Sequence, residues 1–453
     1  MKSLYSILLS FVLITALLSP VSASAKQSDA KKVGKPAISV KVTDDSVTLT
    51  VKPTENAEGY YVYLKSSTDA AFRDAGIIKE DGTAKRTFTI NNLKADNYKI
   101  RVRAFSGTTV SKNSKTKSFT IKEGSALSLW TDNAPLKKAL TEYIKAVTDE
   151  SSQYYIPVDR RIAVFDLDGT LFCETDPNYF DYTLLVYRVL EDEEYKDKAS
   201  DFEKEVANKI VTLNETGVAA SGLEVDHGKA VASAFAGMTL DEFNSYIQEF
   251  KKLDMPSYTG MKRGEGWYRP MLQVIELLKA NDFTVYIVSG TDRILVRGIV
   301  YDSLLDLPMG QIIGSDELLV ASNQNGADGL NYVYTSDDKL VTAGEFIIKN
   351  LKMNKVTVIA QEIGLQPVLS FGNSTGDSSM AMYTITNNPY LSLAFMLCCD
   401  DLERENGNIT KADKMYSLCN EFGWIPVSMK DDWKTIYGDG VTKITTDAEA
   451  DAA

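Results

Sequence analysis

The stretch RIAVFDLDGTL, Arg161–Leu171, decides the reading of this chain. Arg161–Phe165 reads as a short buried strand, and two carboxylates, Asp166 and Asp168, follow it at once. Spaced i and i+2 past a strand end, they face one site if the chain leaves the strand there. Gly169 permits the tight turn this needs. In open α/β sheets ligands bind beyond the carboxyl ends of the strands. The alternative, a pair of ordinary loop carboxylates, is the weaker reading.

The pattern recurs twice downstream. FTVYIV (Phe283–Val288) delivers Ser289 and Gly290, and PVLSF (Pro367–Phe371) delivers Gly372, Asn373, Ser374, Gly376 and Asp377. Between them NKVTVIAQEIG predicts a helix with Lys355 at its start, a stripe of Val356, Ile359, Ala360 and Ile363, and Gly364 at its end. Alone, Ser289-Gly290 would be a plain turn and Lys355 a solvated helix residue. Together, three strand ends and a helix converge on one sheet edge.

Outward from this centre, about 120 residues separate Asp168 from Ser289, too many for a simple crossover. The insert from roughly Asp176 to Pro270 holds helical stretches such as DFEKEVANKIVTL and TLDEFNSYIQEFKKLD. Thr239 with Glu242 forms a capping box, with Phe243, Tyr246, Ile247 and Phe250 on the apolar face behind it. Upstream, PLKKALTEYIKAVTD places Leu136, Leu140, Tyr143, Ile144 and Val147 on one helical face. The alternation of strands and helices from about Arg160 predicts an α/β class, with a Rossmann-like open parallel sheet and a helical insert after the first motif.

Residues 36–122 differ: SVTLTVK, GYYVYLK, RTFTI and YKIRVRAFS alternate as half-buried strands, which predicts a β-sandwich domain. At 453 residues the chain is too long for one core. Residues 1–25 have the charged start, apolar run and Ala23-Ser24-Ala25 site of a secretory signal, or alternatively an uncleaved anchor. Residues 26–35 read as a Lys-rich linker, 125–440 as the α/β domain, and 441–453 as a disordered acidic tail. Export invites pairing of Cys419 with Cys398 or Cys399; small buried residues are the alternative for these and Cys173. The formal net charge of −13 argues against nucleic acid or an anionic membrane as partner, while a pocket can still be locally positive. No segment after the signal is apolar enough for stable membrane insertion.

The four elements resemble, in order, the motifs of the haloacid dehalogenase-like hydrolase superfamily and of its phosphatases in particular, over about Arg160–Gly440. The resemblance implies that Asp166 is a nucleophile forming an aspartyl-phosphate and that Asp168 is its general acid–base. It implies Mg²⁺ on Asp166, the backbone carbonyl of Asp168, Asp377 and Asn373, with Asn373 standing where the family usually has Asp. Lys355 would offset phosphoryl charge, with Lys349 and Lys352 as alternatives, and Ser289 and the N–H of Gly290 would hold phosphate oxygens. The insert would be a cap over a small phosphorylated metabolite, with phosphoserine and phosphorylcholine phosphatases the nearest relatives in kind.

Glu174 either attracts a cationic substrate group or is a solvated helix-entry residue. Tyr179, Phe180, Tyr182, Trp267 and Tyr268 either wall a quaternary ammonium or pack the core. His227 reads as a surface or cap residue, not a base. Gly59–Tyr63, Leu93, Tyr98 and Arg101–Ala104 resemble a fibronectin type III domain, which implies a spacer or a module for surface glycan or protein. Competing readings are a mutase, a dehalogenase (against which Asp168 stands), and a binding protein with an inert hydrolase-like domain.

Overall fold

A computed structural model describes residues 32–444 apart from 43–45, 80–85, 91, 92, 94 and 122–126. Residues 1–25, read above as a secretory signal, residues 26–31 of the expected linker and residues 445–453 of the expected tail lie outside the described residues. The chain divides into two units, Met1–Gly124 and Ser125–Ala453.

The first unit contains β1 (Ile38–Val42), β2 (Val47–Val51), β3 (Gly59–Lys65), β4 (Arg73–Lys79), β5 (Arg86–Ile90), β6 (Asp96–Ser106), β7 (Thr109–Val110) and β8 (Lys117–Ile121). One antiparallel sheet runs β1-β2-β5; the other runs β4-β3-β6-β7, with β8 also on β6. Alternation decides which side chains meet between the sheets. Val47, Leu49 and Val51 of β2 share one core with Tyr60, Val62 and Leu64 of β3 and Ile100, Val102 and Ala104 of β6. Leu93 and Tyr98 are buried in it too. The packing reaches further upstream than the strand pattern showed: Val33 is buried in this core, and Gly34 N–H donates to Glu55 C=O at 3.1 Å. Lys32–Lys35 therefore pack with the sandwich instead of linking.

The second unit opens with α1 (Pro135–Thr148), whose buried residues are Leu136, Leu140, Tyr143, Ile144 and Val147, and continues to β9 (Ile162–Phe165). The insert then supplies α2 (Phe180–Val186), α3 (Asp201–Thr216), α4 (Leu223–Ala234), α5 (Leu240–Lys251) and the short β10 (Tyr258–Thr259). Capping boxes at Ser200–Glu203 and Thr239–Glu242 start α3 and α5. After it come α6 (Arg269–Ala280), β11 (Thr284–Asp292), α7 (Arg293–Val300), β12 (Ile312–Ala321) and β13 (Leu340–Ile348). The chain closes with α8 (Met353–Val358), β14 (Leu369–Gly372), α9 (Ser378–Ile385), β15 (Leu393–Cys398), α10 (Ile409–Phe422), β16 (Ile425–Ser428) and β17 (Thr442–Lys443), which pairs with β10.

Seven strands form one sheet in the order β13-β12-β11-β9-β14-β15-β16, all parallel except β13. All four residues of β9 are buried, as a strand covered on both faces requires. The register aligns Phe165 with Ile287 on one side and Phe371 on the other. The strand ends carrying the motifs are thus nearest neighbours.

The insert leaves the sheet at Phe172 and returns at Trp267, and these two residues bridge each other. Cys173 N–H donates to Gly266 C=O at 2.8 Å and Tyr268 N–H to Leu171 C=O at 2.9 Å, closing the neck. The β12–β13 hairpin holds the far edge: Gly237 N–H donates to Thr342 C=O at 2.8 Å, and Thr342 N–H to Met238 C=O at 3.0 Å. All four cysteines are free, so Cys419 is not bonded to Cys398 or Cys399. Among the described residues no helix is long and apolar enough to cross a membrane.

Candidate active site

Three of the four motifs converge on one fully buried ammonium. Lys355 Nζ donates to Asp166 Oδ1 and to Asp377 Oδ1, each at 2.6 Å. Lys349 and Lys352 line the cavity instead. Asp166 is fixed at the end of β9 by its own N–H, which donates to Phe371 C=O at 2.9 Å. Asp377 Oδ2 accepts from Asn373 N–H at 3.1 Å, Ser374 N–H at 3.0 Å and Ser374 Oγ at 3.2 Å. It therefore shapes its loop while anchoring the lysine. A β-carbon at Gly372 would press on the Asp377 side chain, so glycine is needed there.

The helix carrying Lys355 departs from the predicted stripe. It is α-helical only to Val358 and then widens into a π-turn over Ile359–Ile363, burying Lys355, Val358 and Ile359 while Ala360 is exposed. It is preceded by Lys352 at φ +54°, a left-handed conformation unusual for a lysine, held by Lys352 N–H donating to Gly376 C=O at 2.8 Å.

Burial, then the neighbouring Asp377 carboxylate, push Asp166 upward to about 7 against the pull of Lys355. Burial pulls Lys355 down, but Asp166 and Asp377 outweigh it and leave the ammonium raised. Asp168 is held well above the usual carboxylate range, first by burial and then by Asp181 and Asp166. Its Oδ2 accepts from Thr291 Oγ1 at 2.8 Å, whereas Oδ1 is buried with no partner. Two carboxylates in neighbouring settings thus divide: Asp166 is paired with a cation, while Asp168 is held by a hydroxyl.

Thr291 was not singled out by the sequence pattern. Gly290 and Thr291 line the cavity, while Ser289 is fully buried behind them, its Oγ accepting from Thr291 N–H at 3.0 Å. A hydroxyl two residues past Ser289, at the end of the same apolar strand, was the available signal.

Glu174 is buried, not solvated, and takes a hydrogen bond from Asn373 Nδ2 at 2.9 Å. Burial raises its carboxyl. Gly169, at φ +72°, lies against this pair, where a β-carbon would collide with both side chains. The cavity above holds about 360 Å³. Tyr179 and Tyr182, packed edge to face with centroids 5.2 Å apart, line it with Asp181 and Glu224. Phe180, Trp267 and Tyr268 belong to the core. His227 is buried in the cap, not on its surface, tilted against Tyr182 with ring centroids 4.3 Å apart, and burial pushes its ring down to about 4.

Among the described residues no three His, Cys, Asp or Glu side chains group as a metal cluster. A Mg²⁺ that keeps most of its waters needs less: one or two hard oxygens beside a substrate phosphate. Asp166, Asp168, Asn373 and Asp377 line one cavity, so the hard oxygens expected for such an ion, the backbone carbonyl of Asp168 among them, are gathered where it would sit.

The second unit is an α/β fold with an inserted cap, and its motif residues gather at one sheet edge. Residues 163–382, just under half of the chain, match the family model of the haloacid dehalogenase-like hydrolases. No curated protein matches the chain. It is similar in structure to a conserved, functionally unknown protein from Anaerococcus prevotii, 13% identical over 66% of this chain and 94% of that one, with a TM-score of 0.41. The first unit is similar to a fibronectin type III domain of human collagen XX, 14% identical over 23% of this chain and 99% of that one, with a TM-score of 0.17.

Proposed function

We propose that the protein is an exported, Mg²⁺-dependent phosphatase that hydrolyses small phosphomonoesters through an aspartyl-phosphate, with phosphoserine and phosphorylcholine as candidate substrates. The observation that carries this reading is Lys355 bridging Asp166 and Asp377 beside the separately held Asp168. Lys355 fixes the Asp166 carboxylate so that its free oxygen attacks phosphorus, forming an O–P bond as the ester O–P bond breaks. Asp168 gives its proton to the departing alkoxide. It then takes a proton from water, which attacks the aspartyl-phosphate and frees Asp166 and inorganic phosphate. In this reading the N–H of Gly290, which lines the cavity, holds a phosphoryl oxygen, and Lys355 offsets its charge from behind Asp166. Mg²⁺, when bound, supplies charge neutralisation between the carboxylate and the phosphate.

The cap supports a small substrate, since 360 Å³ lies at the low end of ligand cavities. Tyr179, Tyr182, Asp181 and Glu224 supply rings and negative charge suited to an amine or quaternary ammonium. Residues 1–25 support export and Leu93 with Tyr98 supports a fibronectin type III-type sandwich, acting as spacer or as contact to surface glycan or protein. No nucleic acid and no stable membrane insertion belong to this reading.

The test is phosphate release by protein lacking residues 1–25 from a panel of phosphomonoesters. Turnover with Mg²⁺, lost with chelator and in Asp166→Asn, is expected. A folded, metal-loaded protein that turns over no member would overturn the reading. One observation favours a second reading, an inert domain serving a surface-binding sandwich: Asn373 replaces an acid. Mg²⁺ binding without turnover would support it.

A further inference from the structure

The second unit is strongly acidic, with 51 Asp and Glu against 29 Lys and Arg in Ser125–Ala453. Most partners for a lysine are therefore at hand, and many lysines take one: Lys137 pairs with Asp132 at 2.8 Å, Lys209 with Glu205 at 2.8 Å and Lys262 with Asp254 at 2.5 Å. The cavity is different. Lys349, Lys352, Lys411 and Lys414 line it, and among the described residues none has an ion-pair partner or a side-chain hydrogen bond. Unpaired cations gathered on one concave surface of an anionic domain concentrate a positive field where it reaches a ligand.

Two of the four sit on a rigid support. In α10, Lys411, Lys414, Met415 and Leu418 follow helical spacing, which puts them on one face, and all four line the cavity. Ala412, Met415 and Cys419 anchor the helix in the core, and Asn408 caps it by accepting from Lys411 N–H at 2.9 Å. Lys411 is close enough to Glu174 to pull its carboxyl down against the upward push of burial. The opposing wall, on the cap, carries Asp181 and Glu224. The cavity is therefore bipolar, cationic toward α10 and anionic toward the cap.

We infer that the substrate carries a second anionic group, a carboxylate or second phosphate, besides the phosphate that reacts, and that Lys411 and Lys414 of α10 receive it. This rests on the phosphatase reading and narrows it. A compound with phosphate and ammonium alone would leave the α10 lysines unanswered, whereas one that also bears a carboxylate meets both walls. The two lysines are specificity residues; they reach no reacting atom in this assignment.

The experiment uses matched probes that differ by one carboxylate: phosphoserine against phosphoethanolamine, and 3-phosphoglycerate against glycerol phosphate. Steady-state constants are measured for the full secreted chain and for Lys411→Gln/Lys414→Gln. The carboxylate-bearing member of each pair is expected to have the higher kcat/KM, by roughly 10-fold, a preference that falls with added salt. The double substitution should collapse the ratio, chiefly through KM. The same comparison is made by calorimetry on Asp166→Asn, which reads binding without turnover. Equal values within each pair, or a preference that survives the double substitution, would overturn the inference. Binding preference with no turnover in the unsubstituted protein would uphold it and overturn the phosphatase reading instead.

Discussion

Asn373 donates its side-chain amide to the Glu174 carboxylate across 2.9 Å, joining the fourth motif to the first. An aspartate at 373 would set a half-buried carboxylate against the buried one of Glu174, so the amide suits Glu174 better. The bond also polarises the amide, leaving its oxygen a better donor to a cation, and returns to the site the charge that Asn lacks. Glu174→Gln should weaken Mg²⁺ binding about 10- to 100-fold by calorimetry. Adding Asn373→Asp should restore much of it. Unchanged affinity in Glu174→Gln would show that Asn373 acts without its neighbour.

Lys355→Met should cost stability as well as activity. It strips the cation from Asp166 and Asp377, leaving two buried carboxylates with no countercharge. Removing one partner of a buried pair costs about 3–5 kcal/mol. Denaturant titration should show a loss of that order, partly reversed by Asp377→Asn. A midpoint equal to that of the unsubstituted protein would refute the structural part of this role.

Thr291→Val removes the hydroxyl that holds Asp168 and conserves volume. A hydrogen bond to such a group is worth about 1.5–3 kcal/mol. The expected result is a drop in kcat of about 10- to 100-fold with KM little changed, and recovery in Thr291→Ser. A rise in KM with kcat unchanged would mean that Thr291 serves binding alone.

Glu317 gives a prediction independent of catalysis. On β12, both of its carboxylate oxygens are buried without partners, and burial first, then Asp292, push it up to about 9 from an ordinary value of 4.5. The folded protein thus keeps a proton that the unfolded chain releases. Stability from this group is complete below about 4.5 and is lost as pH rises toward 9. Glu317→Gln should remove that slope, which reaches up to about 1.4 kcal/mol per pH unit. Its thermal advantage over the parent should grow between pH 5 and 8.5. A constant difference across that range would sink the assignment.

The strand ends were legible because each motif follows a run of apolar residues that stops abruptly in small or acidic ones. Lys355 was legible by order along the chain, although its burial between two carboxylates was not. Three features were hidden for one physical reason: they depend on packing between distant segments. The hold of Thr342 on the cap spans about a hundred residues, the burial of His227 comes from Tyr182 and Asp181, and the cationic face of α10 has meaning only opposite the cavity. The π-turn after Val358 escaped because its apolar spacing imitates an ordinary helix.

The neck at Phe172 and Trp267 has a consequence for descent. Because the strands entering and leaving the insert bond to each other, the sheet beneath is closed whatever lies above. The insert is a cassette: a lineage can exchange it, and with it what the cavity admits, while inheriting the motif-bearing wall intact. Two fastenings must travel with it, Thr342 on the hairpin and Glu405, which accepts hydrogen bonds from Thr175, Tyr258 and Tyr437. Recombination here is tied to three points.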